Sequence, residues 1–200
     1  MVTNGFRTAL AAACVCMIAI PASALKMGET APDFTAAASL GGKDFTFSLK
    51  DALKKGPAVV YFYPSAFTRG CDLEAHTFAE SKDKFDAAGA SIIGVSADSM
   101  ERLHEFAVDP NYCAGKFPVA SDANLKISSS YGLTASKANE GAKDVRGVEI
   151  GHDYIPRTTF VIGKDGKVIA RLSSEDDKLS PVEHVDKSLA IVEQIKAAAH

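Results

Sequence analysis

The chain has 200 residues, 46% of them hydrophobic and 24% charged, with 15 Gly, 8 Pro and no Trp, proportions that argue against a disordered or fibrous chain. Lys plus Arg is 22 against 25 Asp plus Glu, a net charge of −3 with no basic block, which argues against nucleic acid as a partner. The 4 Cys contain no Cys-x-x-Cys pair, so neither a disulfide scaffold nor a zinc ribbon nor a dithiol motif is expected.

From the N terminus, Met1 to Arg7 is short and polar with one positive charge. Thr8 to Ile20 is dominated by apolar residues, and Pro21-Ala22-Ser23-Ala24 supplies a small-residue cleavage pattern. This layout predicts a secretory signal peptide over residues 1–24, cleaved after Ala24, and a single domain over 25–200. The apolar run is shorter than the roughly 20 residues that cross a bilayer, so cleavage is favoured over a retained anchor. No stable membrane association of the mature chain is expected. Cleavage removes Cys14 and Cys16, leaves Cys71 and Cys113, and delivers the chain to an oxidising compartment, periplasmic or secreted.

Phe34 to Leu40 and Phe45 to Leu49 read as a small N-terminal hairpin. Ala58 to Tyr63 is a continuous apolar, β-prone run closed by Pro64, the pattern of a strand buried on both faces. Cys71 to Ala88 carries apolar residues at near-helical spacing with Gly89 after it, and Ser91 to Ser96 is a second buried strand. Ser99 to Val108 reads as a helix and Phe117 to Ala120 as a short strand. Ala135 to Val148 is mostly polar, with Gly141 and Gly147, and reads as an exposed loop. Thr158 to Ile162 and Val168 to Leu172 flank Gly163-Lys164-Asp165-Gly166, a strong hairpin signal. Pro181 opens a closing helix with Val182, Val185, Leu189, Val192 and Ile195 on one face. The order predicts an α/β, thioredoxin-like fold: a central mixed sheet flanked by helices, with an N-terminal β-hairpin.

The chemistry concentrates between Pro64 and Cys71. A buried strand ends at Pro64, and Cys71 falls in or beside the first turn of the next helix, where open α/β sheets bind ligands. A helix N-terminus favours the thiolate, the reactive form of cysteine. Thr68, three residues earlier, brings a hydroxyl near the sulfur, Pro64 shields it from water, and Arg69 or the distant Arg157 can add positive charge. A buried, inert cysteine is the competing reading.

Pro64, Thr68 and Cys71 stand as P-x-x-x-T-x-x-C, which resembles the peroxidatic-cysteine motif of peroxiredoxins. Tyr61-Phe62-Tyr63-Pro64 and Phe67-Thr68-Arg69-Gly70-Cys71 are most similar to the Q-type, bacterioferritin comigratory protein-like branch of the AhpC/TSA family. Val95 to Ser99, Phe117 to Asp122 and Pro156 to Ile162 match that branch in order, the last resembling the strand that bears its arginine. The resemblance implies a thiol peroxidase acting on hydrogen peroxide and organic hydroperoxides. In that reading Cys71 becomes a sulfenic acid, Thr68 and Arg157 bind the peroxide, and Pro64 closes the pocket. Glu74 matches a carboxylate that orients the arginine, the other reading of it being a solvated helix-face group. The position of a resolving cysteine in many members, five residues after the first, is His76 here. Cys113 is then read as the resolving partner in a Cys71–Cys113 disulfide, after local unwinding around Cys71. An external thiol with Cys113 idle, or a permanent structural disulfide, are the alternatives. The resemblance further implies a thioredoxin-like or small-thiol reductant, a monomer, and no cofactor. No two histidines show helix-borne zinc spacing, so no metal is expected, and His76, His104, His152 and His184 read as packed or solvated. An exported redox sensor or a thioredoxin-fold binding module without turnover is the competing function.

Overall fold

The computed structural model describes Met1 and residues 23–198, so residues 2–22 of the predicted signal peptide lie outside the described residues. Among the described residues no helix is long and apolar enough to cross a membrane.

A seven-stranded mixed sheet runs in the order β2-β1-β5-β4-β3-β6-β7. The strands are β1 (Thr35–Leu40), β2 (Lys43–Ser48), β3 (Ala58–Phe62), β4 (Ser91–Ser96), β5 (Val119–Ser121), β6 (Thr158–Ile162) and β7 (Val168–Ser173). β4 lies between parallel neighbours β3 and β5, while β6 runs antiparallel to β3 and β7 antiparallel to β6. The predicted N-terminal hairpin joins the same sheet, with β1 antiparallel to β5. Every residue of β3 is buried, as an unbroken apolar run requires. Its alternate side chains feed two cores. Val59 and Tyr61 face α2 (Arg69–Ala87), α3 (Met100–Val108) and α5 (Pro181–Ala198), with Phe78, Phe85, Phe106 and Val192. Val60 and Phe62 face the opposite layer with Leu49, Tyr131 and Phe160. Gly94 on β4 makes room for this packing: a Cβ there would come within 2.6 Å of the Tyr61 ring.

Three expectations change. β5 starts at Val119 rather than Phe117, because Pro118 has no N–H for a ladder and only its carbonyl pairs, accepting from Gly94 at 3.1 Å. Two short helices went unpredicted, α1 (Leu49–Lys55) and α4 (Lys126–Ser130). α1 is capped by Ser48, whose hydroxyl accepts from the Asp51 N–H at 3.2 Å, a signal hidden by the β-prone residues before it. α4 is a single turn of poor helix formers entered through Leu125 at φ 58°. The segment Ala135–Val148 is irregular as expected but not simply exposed. Asp144 is buried within it, and the Val145 N–H donates to the Phe67 carbonyl at 2.9 Å.

Candidate active site

The loop from Tyr63 to Thr68 connects the C-terminal end of β3 to α2, at the edge where neighbouring parallel strands also end. Thr68 is the extended residue before α2 (φ −123°, ψ 138°), so the helix starts at Arg69 and Cys71 is its third residue. The backbone N–H groups of that first turn have no carbonyl partner behind them, which leaves partial positive charge at the sulfur. Cys71 is 2% exposed, and Arg157, at the entry to β6, donates through Nη2 to its Sγ at 3.2 Å. Arg157 also donates through Nη1 to Glu74 Oε2. Glu74 is three residues beyond Cys71 and therefore on the same helix face, fully buried, with Oε1 unpartnered. Of its two expected readings, the solvated one is ruled out. Gly70 makes the approach possible, because a Cβ there would stand 3.1 Å from Arg157 Nη2.

Electrostatics at the sulfur are a contest. Burial pushes the Cys71 thiol up, while Arg157 first, then the Thr68 hydroxyl and the Ser65 backbone, pull it down. Burial also lifts Glu74 to about 7 against the pull of Arg157. Arg157 itself is held more firmly protonated because the attraction of Glu74 and Cys71 outweighs its own desolvation. Arg69, the other candidate cation, is solvent-exposed. The Thr68 hydroxyl donates to the Ser65 carbonyl at 2.8 Å. Pro64 is half-buried at the start of the loop.

A second network holds the loop from behind, and its centre is Asp98. Its carboxylate accepts from the Ala66 N–H at 2.8 Å, the Ser65 hydroxyl at 3.0 Å and the Ser96 hydroxyl at 2.7 Å. His152 Nε2 and Arg102 Nε each lie 2.8 Å from Asp98 Oδ1. Arg102 continues to the Ala66 carbonyl at 2.9 Å and to Asp144 at 2.8 Å. His152 is thus neither packed in apolar surroundings nor solvated, contrary to expectation. These partners outweigh its desolvation and raise its pKa, and they keep that of Asp98 low. Neither residue stands in a local pattern that marks a site. Val95 to Ser99 resembles a strand end of the family, and an Asp–His pair separated by 54 positions leaves no local trace.

Phe67 sits between the two networks with φ 57°, a left-handed conformation rare for a side chain of this size. The Arg146 guanidinium lies 3.3 Å above its ring centroid, and the ring packs edge-on against Phe106 and Tyr112 at 5.1 and 5.5 Å. Tyr112 precedes Cys113, which is fully buried in the same apolar cluster as Cys71. Both thiols are free. Burial pushes Cys113 well up, and Asp109 and Asp72 push it further.

Among the other histidines, His76 pairs with Glu80 at 3.4 Å and His104 with Asp44 at 3.3 Å, both at the surface. His184 is fully buried and hydrogen-bonded between β6 and the segment after β7. Among the described residues no group of three or more His, Cys, Asp or Glu is placed to hold a metal ion.

A family model described as the AhpC/TSA family matches residues 27–171. The chain belongs to the AhpC/TSA family. It is 33% identical over 165 residues to "Peroxiredoxin Bcp" of Bacillus subtilis, covering 82% of this chain and 93% of that one. It is 31% identical over 169 residues to "Peroxiredoxin Q, chloroplastic" of Sedum lineare, covering 84% and 78%. The crystal structure of peroxidoxin BcpB from Mycobacterium tuberculosis superposes with a TM-score of 0.70 at 29% identity, covering 86% of this chain and 98% of that one. The fold is therefore that of thioredoxin-fold peroxiredoxins, and the chain is a thiol-dependent peroxidase, an oxidoreductase acting on peroxide. In this family member the arginine pointing at a buried cysteine acquires a chemical context.

Proposed function

We propose that the chain reduces hydrogen peroxide and organic hydroperoxides by attack of the Cys71 thiolate, and that Cys113 resolves the product. The observation that carries this reading is the 3.2 Å contact from Arg157 Nη2 to Cys71 Sγ, made by a guanidinium that buried Glu74 holds in place. In the first step an S–O bond forms as the O–O bond breaks. The departing oxygen takes up a proton and leaves as water or alcohol, and Cys71 is oxidised to sulfenic acid. Arg157 stabilises both the thiolate before attack and the negative charge that collects on the peroxide oxygens during it. Thr68, its own proton committed to the Ser65 carbonyl, offers the peroxide O–H a lone pair. Pro64 walls off the sulfur.

In the second step the Cys113 sulfur attacks the sulfenic sulfur. The S–S bond forms, the S–O bond breaks, and the leaving hydroxide combines with the thiol proton as water. A disulfide requires Cα atoms within about 7 Å, and in this reading the first turn of α2 unwinds locally to let Cys71 meet Cys113. A thioredoxin-like protein or a small thiol then reduces the disulfide by two exchanges. The leader pattern supports export to the periplasm or medium after cleavage at Ala24, where the enzyme works as a monomer.

The test uses residues 25–200, fully reduced, given one equivalent of hydrogen peroxide while free thiols are followed. Parent protein losing both thiols, with Cys113→Ser stopping at a trapped sulfenic acid, is the expected result. Undiminished peroxide consumption by Cys71→Ser removes the mechanism. Oxidation that stops after one equivalent when a dithiol reductant is supplied replaces it with a sensor.

A further inference from the structure

His184 stands on α5, fully buried, with both ring nitrogens engaged. Nδ1 lies 2.9 Å from the Thr159 hydroxyl and Nε2 lies 3.0 Å from the Ser174 hydroxyl. The Ser174 proton is already committed, because that hydroxyl donates to the Leu179 carbonyl at 2.8 Å, and a carbonyl can only accept. Ser174 Oγ must therefore accept from His184, which places the ring proton on Nε2 and leaves Nδ1 to accept from Thr159. Each partner adjoins the backbone of Arg157. Thr159 is two residues beyond Arg157, hence on the same side of the chain as it enters β6. Ser174 donates through its backbone N–H to the Arg157 carbonyl at 3.1 Å. The first residue of α5, Pro181, packs near Gly70, the position that leaves space for the guanidinium.

We infer that His184 is a positioning residue for Arg157: with its proton on Nε2 it clamps Thr159 to Ser174, fixing the strand entry from which the guanidinium reaches Cys71. The inference rests on the proposed role of Arg157 at the sulfur. It also accounts for a neutral ring at this place. The charged groups facing His184 are Arg157 at the β6 entry, Asp177 in the β7–α5 connection and Glu183 on its own helix. Burial first and Arg157 second push it down to about 4, and the two carboxylates do not reverse this. A second cation beside Arg157 would repel the guanidinium that must face the sulfur, and it would force the Thr159 hydroxyl to turn from donor to acceptor.

The experiment measures the pH profile of Cys71 alkylation by iodoacetamide in a Cys113→Ser background, together with the rate of reaction with hydrogen peroxide. His184→Gln and Thr159→Val are each expected to move the Cys71 ionisation upward and slow the peroxide step by about tenfold, as small misplacements of a catalytic group do. Thr159→Ser, which keeps the hydroxyl, is expected to restore both. Combined with Arg157→Gln, neither substitution has anything left to remove, so its effect vanishes. A lower melting temperature with an unchanged alkylation profile overturns the inference, as does an effect that persists undiminished without Arg157. If His184→Gln fails to fold, the Thr159 pair decides. Alkylation needs no peroxide turnover, so failure of the peroxidase mechanism and failure of this clamp give different results.

Discussion

Cys71 and Cys113 share one apolar cluster, and both are essentially hidden from water, yet their surroundings oppose each other in sign. Around Cys71, burial and then the Glu74 carboxylate push the thiol up, while the Arg157 guanidinium, the Thr68 hydroxyl and the Ser65 backbone pull it down. Around Cys113 the nearby charges are carboxylates, Asp109 and Asp72, and they reinforce burial. Equal burial therefore does not make equal thiols. Burial keeps both thiols above the ordinary value, but Cys71 has neighbours that favour its anion and limit the rise, while Cys113 has none among the groups that shift it and is raised well above. That difference is the one the proposed mechanism needs, with attack on peroxide at Cys71 and then resolution by Cys113.

Removing the cation should erase most of the contrast. Arg157→Gln is expected to raise the Cys71 ionisation further and cost about 10²–10³ in the peroxide rate, the usual loss for one preorganised donor. Stopped-flow oxidation with an alkylation pH profile reads both. Asp98→Asn attacks the tether instead. Breaking a buried ion cluster should cost about 3 kcal/mol in urea unfolding, and Cys71 should lose reactivity while Cys113 in the native state does not.

The two sides should also respond to pH in opposite directions. His184, beside Arg157, has a folded value near 4 against 6.5 when free. Its contribution to stability is complete above about 6.5 and is lost as pH falls toward 4, at most about 3 kcal/mol, and His184→Gln should flatten that acid limb. Asp72, on the Cys113 side, is raised to about 6 by burial and then by Asp109 and Asp144. Its effect runs the other way, with stability lost as pH rises from about 4 to about 6, and Asp72→Asn should remove that slope. The same substitution removes a charge that opposes Cys113 ionisation. The smallest predicted effect is accordingly a faster resolution step, by about threefold, read as disulfide formation after a peroxide pulse.

The sheet and its major helices were legible because β3 is a continuous apolar run, β4 and β6 are short β-branched runs between turn signals, and α5 carries an apolar stripe. α1 and α4 were not, since a seven-residue and a five-residue helix offer too little periodicity to stand out from a loop. At the site, Pro64, Thr68 and Cys71 were readable as one local motif. Arg157 became readable only through the family pattern of its strand, being 86 positions from the sulfur it touches. Asp98, His152 and His184 escaped because a buried polar group owes its position to partners brought together by folding, and sequence spacing does not encode those partners.

Phe67 gives the peroxidatic loop a bias toward opening. A left-handed L-residue costs about 1–2 kcal/mol, and here the cost is offset by what lies on the ring and its carbonyl, including Arg146, Arg102, Phe106, Tyr112 and the Val145 N–H. The closed loop is in effect a latched spring whose catch sits outside the reacting centre. In the proposed mechanism, sulfur oxidation weakens the grip of Arg157, and unwinding then returns that strain as driving force. The threshold for release is then adjustable at residues 67 and 146 without altering any atom that meets peroxide.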